Sequence, residues 1–150
     1  MTQPSEVTTA VELFEAGHAC SQAILAAFAD RFDLSRDVAL KMASSLAGGM
    51  GGQGLACGAV TGALLVIGLH SGRVDPDDQA TRDRNDELVK RLFVRFQEAH
   101  GSLVCNELIG IDMTDLEQKN QAKDDGVFER VCPDLVRRAA EITLELITED

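Results

Sequence analysis

Four cysteines, Cys20, Cys57, Cys105 and Cys132, are the side chains of this 150-residue sequence best equipped for chemistry. Each stands where the local pattern predicts a helix start. Free backbone N–H groups and the positive end of the helix dipole favour a thiolate there over a thiol. Sulfur placed in that way suits a redox pair, a metal site, or both. The spacings of 37, 48 and 27 residues contain no C-x-x-C, so zinc ribbons and thioredoxin-type chemistry lack their signature. C-x-x-C-H is also missing, and covalent c-type haem is therefore not expected. If the four sulfurs meet, the fold must gather them from separate helix starts. A metal or iron–sulfur centre, or a disulfide pair, then relieves the repulsion among them. The plainer alternative is that a buried cysteine packs as a small apolar residue.

Next to Cys57 runs Ala47-Gly48-Gly49-Met50-Gly51-Gly52-Gln53-Gly54, five glycines in eight residues. Each glycine costs a helix interior about 1 kcal/mol, so the run predicts a loop of tight turns and close backbone approach. Gly51, Gly52, Gly54 and Gly58 are accordingly the expected cofactor-facing positions. A P-loop needs Lys-Ser or Lys-Thr after its glycines, and a dinucleotide fingerprint needs a strand before them; neither is found. Cys57 and Cys132 are the candidate catalytic residues, with Cys57 the expected low-pKa attacking thiolate because its helix start follows an open loop. His18 lies near Cys20 as a substitute ligand or proton donor, while His70 and His100 are read as helix-end residues. Thr61 is expected to bond its own backbone.

Positioning these residues falls to helices, since nearly every segment shows the helical period and none alternates as a strand. Ser5 is a predicted cap for a first helix ending at Gly17. Others are predicted over residues 19–32, over 36–46 behind a Ser35 cap, over 55–70, over 77–100 with Gly101 as its stop, over 103–109, and over 132–147 with Pro133 in its first turn. Residues 114–126 read as a polar connection. Gly58 and Gly62, four apart, bare one face of the apolar central helix for close packing. The expectation is an all-α, single-domain helical bundle of about five to seven helices spanning residues 1–150.

These pieces together resemble the redox-active proteins named for a C_GCAxxG_C_C pattern. The resemblance rests on Cys20-Ser21-Gln22-Ala23, on the run from Gly48 to Gly62 followed by Ala63-Leu64-Leu65-Val66, on Gly101-Ser102 before Cys105, and on Cys132 before Ala139-Ala140-Glu141-Ile142. Around Cys57 the match departs from the literal pattern: Ala56 precedes the cysteine, and Gly62 follows it by five residues instead of four. The resemblance implies a helical, redox-associated protein. A further similarity, to the cluster-bearing part of split-Soret-type cytochromes, implies an iron–sulfur centre.

Composition narrows the partners. A net charge of −11, a pI near 4.6 and six Phe with no Trp or Tyr argue against nucleic acid. The longest apolar stretch, residues 55–69, falls short of the roughly 18–20 residues that span a bilayer. Residues 1–6 lack the basic and apolar regions of a signal peptide, so the expected location is the cytoplasm. The expected function is that of a small redox protein whose Cys20, Cys57, Cys105 and Cys132 hold an iron–sulfur cluster or other thiolate-bound metal, or form reversible disulfides, and which meets a redox partner protein. The competing expectation is a helical binding or assembly module with structural cysteines, able to form a homodimer through its Gly58/Gly62 face. A third is an enzyme that binds an anion at the glycine loop.

Overall fold

The computed structural model describes residues 5–150; the signal-peptide reading of the first residues falls largely outside them. The described residues form eight α-helices: α1 (Glu6–Glu15), α2 (Cys20–Phe28), α3 (Arg36–Ser44), α4 (Gly58–Ser71), α5 (Gln79–His100), α6 (Cys105–Ile109), α7 (Leu116–Asp124) and α8 (Val127–Glu149). A 3-10 turn, Ala29–Phe32, extends α2. The all-α expectation holds. The count is one higher than five to seven, because the polar connection contains α7.

Local chemistry explains most boundaries. Ser5 and Ser35 accept hydrogen bonds from the backbone N–H of Thr8 and Val38 at 3.3 and 3.1 Å, satisfying first-turn donors of α1 and α3. Gly101 ends α5 with a φ of 85°. α4 is the central element, apolar nearly all round. Its residues from Gly58 to Ala63 are all buried, and it packs against α2, α5 and α8. The C-terminal part of α8 buries Leu135, Val136, Ala139, Ile142 and Leu146 against α1, α4 and α5. α6 and α7 pack against α8 as well.

The bare face of α4 is used within the chain. A Cβ on Gly62 would lie 2.8 Å from the Ser21 carbonyl oxygen and 3.0 Å from the Ile24 Cβ. α2 therefore occupies the face on which a homodimer was one expectation. Ser21 Oγ donates to the Ala43 carbonyl at 2.8 Å, and Gln22 Nε2 donates to the Leu40 carbonyl at 3.0 Å. These bonds satisfy carbonyls at the end of α3. They also fix the first turn of α2, which begins at Cys20, relative to the start of the glycine run.

Candidate thiol site

Residues 55–57 and the stretch just before α6 meet in an isolated antiparallel bridge between Ala56 and Val104. Cys57 N–H donates to the Leu103 carbonyl at 2.8 Å, Cys105 N–H donates to the Leu55 carbonyl at 2.5 Å, and Asn106 N–H donates to the Gly54 carbonyl at 3.1 Å. Cys57 and Cys105, 48 residues apart in sequence, are thus held side by side, each where an extended segment turns into a helix. Cys57 is the N-cap of α4; Cys20 and Cys105 are the first residues of α2 and α6.

Cys132 departs from the expectation. α8 starts five residues earlier, at Val127, behind Gly126 with a φ of 70°. Cys132 and Pro133 therefore lie inside the helix. Val127, Phe128 and Val131 are half-buried, so this first part of α8 has an apolar side of its own. Pro133 has no N–H to offer the carbonyl one turn back, a cost of about 3 kcal/mol in a helix interior. Cys132 is thus not itself at a helix start.

The glycine run is a loop of one hand. Gly48, Gly49, Met50, Gly51 and Gly52 have φ values of 64°, 72°, 68°, 62° and 76°, five consecutive residues in the left-handed region. Only glycine enters that region freely, at a saving of about 1–2 kcal/mol per residue over other types, and Met50 bears the cost. The turn is closed by bonds from Met50 N–H to the Leu46 carbonyl, Gly52 N–H to the Ala47 carbonyl and Gly54 N–H to the Gly48 carbonyl. It threads between sulfurs. A Cβ on Gly49 would come within 2.8 Å of the Cys105 Cβ, and the Gly48 backbone acts to lower the pKa of Cys20.

All four cysteines line one cavity of about 700 Å³. Gly48, Gly51, Gly52 and Gly58 share its wall, as do Phe14, Met113 and Phe128. Gly54 does not; its Cβ would fall 2.0 Å from the Asn106 side-chain oxygen, so it makes room for Asn106 instead. That oxygen accepts from Met113 N–H at 2.8 Å and so ties the wall together, a role the sequence reading missed. Gly58 has the closest tie to sulfur: a Cβ there would stand 2.3 Å from Cys20 Sγ.

The thiols are free, Cys57 and Cys105 buried, Cys20 and Cys132 half-buried. Burial raises all four. Cys57 is pushed up to about 12 by desolvation first and by the neighbouring Cys20 sulfur second, against N–H groups of Ala59 and Val60 that pull it down. Desolvation and the other three sulfurs push Cys132 up to about 12, and desolvation with Cys20 pushes Cys105 up to about 11. Cys20 is also raised by burial, opposed by N–H groups of Gly48, Ser21 and Ala59. The expected low-pKa thiolate at Cys57 is therefore reversed, because desolvation outweighs the helix start.

Among the described residues no three His, Cys, Asp or Glu side chains come close enough to grip one metal ion. His18 is absent from the cavity wall, and Thr61 Oγ1 donates to the carbonyls of Cys57 and Gly58, as expected of a helical threonine. His70 Nε2 lies 3.0 Å from Asp150 Oδ2. His100 ends α5 against Phe96 with burial lowering its pKa, which opposes a protonated helix-end role. No described helix is long and apolar enough to cross a membrane.

Over residues 18–146 the sequence matches the family described as "Putative redox-active protein (C_GCAxxG_C_C)". The chain belongs to the C_GCAxxG_C_C family. The matched span includes all four cysteines, the left-handed turn and most of α8, so the match extends well beyond one motif. A relative from Archaeoglobus fulgidus, described as "Uncharacterized protein", is 26% identical over 147 residues, covering 93% of this chain and 91% of its own length. No solved structure matches.

Proposed function

We propose that Cys20, Cys57, Cys105 and Cys132 hold an iron–sulfur centre and that the protein transfers electrons to or from a redox partner protein. The observation that carries this reading is the convergence of four unpaired cysteines, from four separate helices or helix starts, on one cavity. The donor set and the room fit a polynuclear centre better than a single ion. The thiols share the wall of a cavity of about 700 Å³, and no three of them stand within reach of one point. A cluster of iron and sulfide supplies one-electron chemistry when bound.

The chain's own groups have clear parts in this proposal. Backbone N–H groups of Gly48, Ser21 and Ala59 act to lower the pKa of Cys20, and those of Ala59 and Val60 that of Cys57. Such donors stabilise ligating sulfur and raise a reduction potential. The left-handed turn brings main chain to the sulfurs with no side chain in the way. Phe14, Met113 and Phe128 keep the wall apolar. Metal binding must displace the thiol protons, so loading strengthens as pH rises.

Thiol–disulfide exchange is the weaker reading, since it needs an accessible thiolate and burial raises every one of these thiols. Purification without oxygen, followed by iron and acid-labile sulfide analysis and a visible spectrum, separates the two. The proposal expects a coloured protein with iron and sulfide in comparable amounts. Colourless protein free of iron, with thiol counts that fall on mild oxidation, overturns it in favour of disulfides.

A further inference from the structure

The thiol cavity carries cations as well as sulfur. Lys119 and Lys123, two of the four lysines in a chain of net charge −11, line its wall. They lie four residues apart on α7 and so share one face of that helix. The Lys119 ammonium lies against the left-handed turn, 3.5 Å from where a Cβ on Gly52 would be. Among the described residues neither lysine has a carboxylate within ion-pair distance, whereas seven arginines do. Five other cations have no ion pair among the described residues either, but Lys119 and Lys123 are the two that stand against this concave apolar wall. The rest of that wall is carbon-rich: Phe14, Leu108, Phe128 and Leu135 line it.

We propose that this cavity binds a small organic anion, a carboxylate or sulfonate whose charge sits on Lys119 and Lys123 and whose apolar body lies against Phe14, Leu108, Phe128 and Leu135. The size supports it, because about 700 Å³ is in the range of small-molecule pockets and exceeds what four cysteine side chains alone enclose. A purely inorganic anion uses the lysines and leaves the apolar wall idle. A neutral apolar molecule uses the wall and leaves both ammonium groups unanswered. An organic anion meets both. The inference deepens the redox reading by naming the class of molecule admitted beside the thiols, though the binding itself needs only the lysines and the wall.

The test uses the full chain, hexanoate as probe and hexanamide as its neutral counterpart, with binding followed by NMR titration. Hexanoate should bind about tenfold more tightly than hexanamide, a typical return for charge-assisted contacts. The double variant Lys119→Met/Lys123→Met should lose that preference to within about twofold, whereas Lys119→Arg/Lys123→Arg should keep it. Iron and sulfide content should be the same in all three proteins. Equal binding of the two probes, no binding of either, or full hexanoate affinity in the methionine variant overturns the proposal. Loss of iron from the methionine variant also overturns it, by assigning the lysines to the metal centre. The readouts are separable: protein without iron defeats the redox reading and leaves the hexanoate preference to be measured.

Discussion

Replacing Gly58 by alanine separates a cavity designed around sulfur from one that merely contains it. Gly58 has no positive φ and sits in the first turn of α4, so alanine meets no backbone strain and gains helix propensity of up to about 1 kcal/mol. The added Cβ stands 2.3 Å from Cys20 Sγ, with Ser21 N and Leu46 O at 3.3 and 3.4 Å. Restoring a separation of about 3.5 Å moves the sulfur by roughly 1.2 Å. Overpacking of that kind costs about 1–3 kcal/mol. Gly68→Ala is the control, since the same helix leaves that Cβ with nothing within 4 Å and the full propensity gain stands. The two variants should differ by about 1–3 kcal/mol, a gap of at least about 3 °C in Tm for a chain of this length. Far-UV circular dichroism reads it, as the chain has no Trp or Tyr for fluorescence. Iron per chain should drop sharply in Gly58→Ala and stay at the wild-type level in Gly68→Ala. Equal Tm and equal iron in the two variants would refute the reasoning.

Further outcomes follow from the same geometry. Serine at any one of positions 20, 57, 105 or 132 should lower bound iron by more than half with the helical circular dichroism retained; full loading in any single variant removes that residue from the ligand set. Gly49→Ala meets both a left-handed φ and backbone atoms 2.6–2.8 Å from the new Cβ, so it should destabilise by about 3 kcal/mol or more in urea unfolding. Asn106→Ala leaves the Met113 N–H without its acceptor and should cost about 1–3 kcal/mol; an unchanged urea midpoint denies that bond a structural role. In the reduced, metal-free protein the folded thiols titrate above their ordinary 9.0, at about 11 for Cys105 and about 12 for Cys57 and Cys132. The folded state then holds more protons than the unfolded chain between pH 9 and these values. Stability is therefore complete below pH 9 and falls as pH rises, by up to about 1.4 kcal/mol per pH unit for each thiol. A urea midpoint that stays flat to pH 11 contradicts the burial argument.

Helix positions were largely legible in the sequence because caps and periodicity are local. Ser5, Ser35 and Gly101 act as their types suggest, and the Gly58/Gly62 spacing marked the face that receives α2. α7 escaped notice because it is polar nearly all round and buries only Ala122. Cys132 was misplaced because Pro133 reads as a first-turn residue, while the actual start is set by Gly126 and by apolar residues ahead of the cysteine. The cysteine set was visible as a set, and its meeting place was not. The Ala56–Val104 bridge joins segments 48 residues apart and is too short to show alternation. The sign of the thiol shifts depends on desolvation by that cavity, which no local rule about helix starts contains. Lys119 and Lys123 do carry a signal, two lysines at helical spacing in an acidic chain, inside the segment that reads as a polar connection.

Iron K-edge X-ray absorption of the anaerobically purified protein tests the central claim most directly. Four cysteines around one polynuclear centre predict a first shell of sulfur alone and scattering from a neighbouring iron. A first shell of nitrogen or oxygen, a lone iron without an iron neighbour, or protein that carries no iron would contradict it.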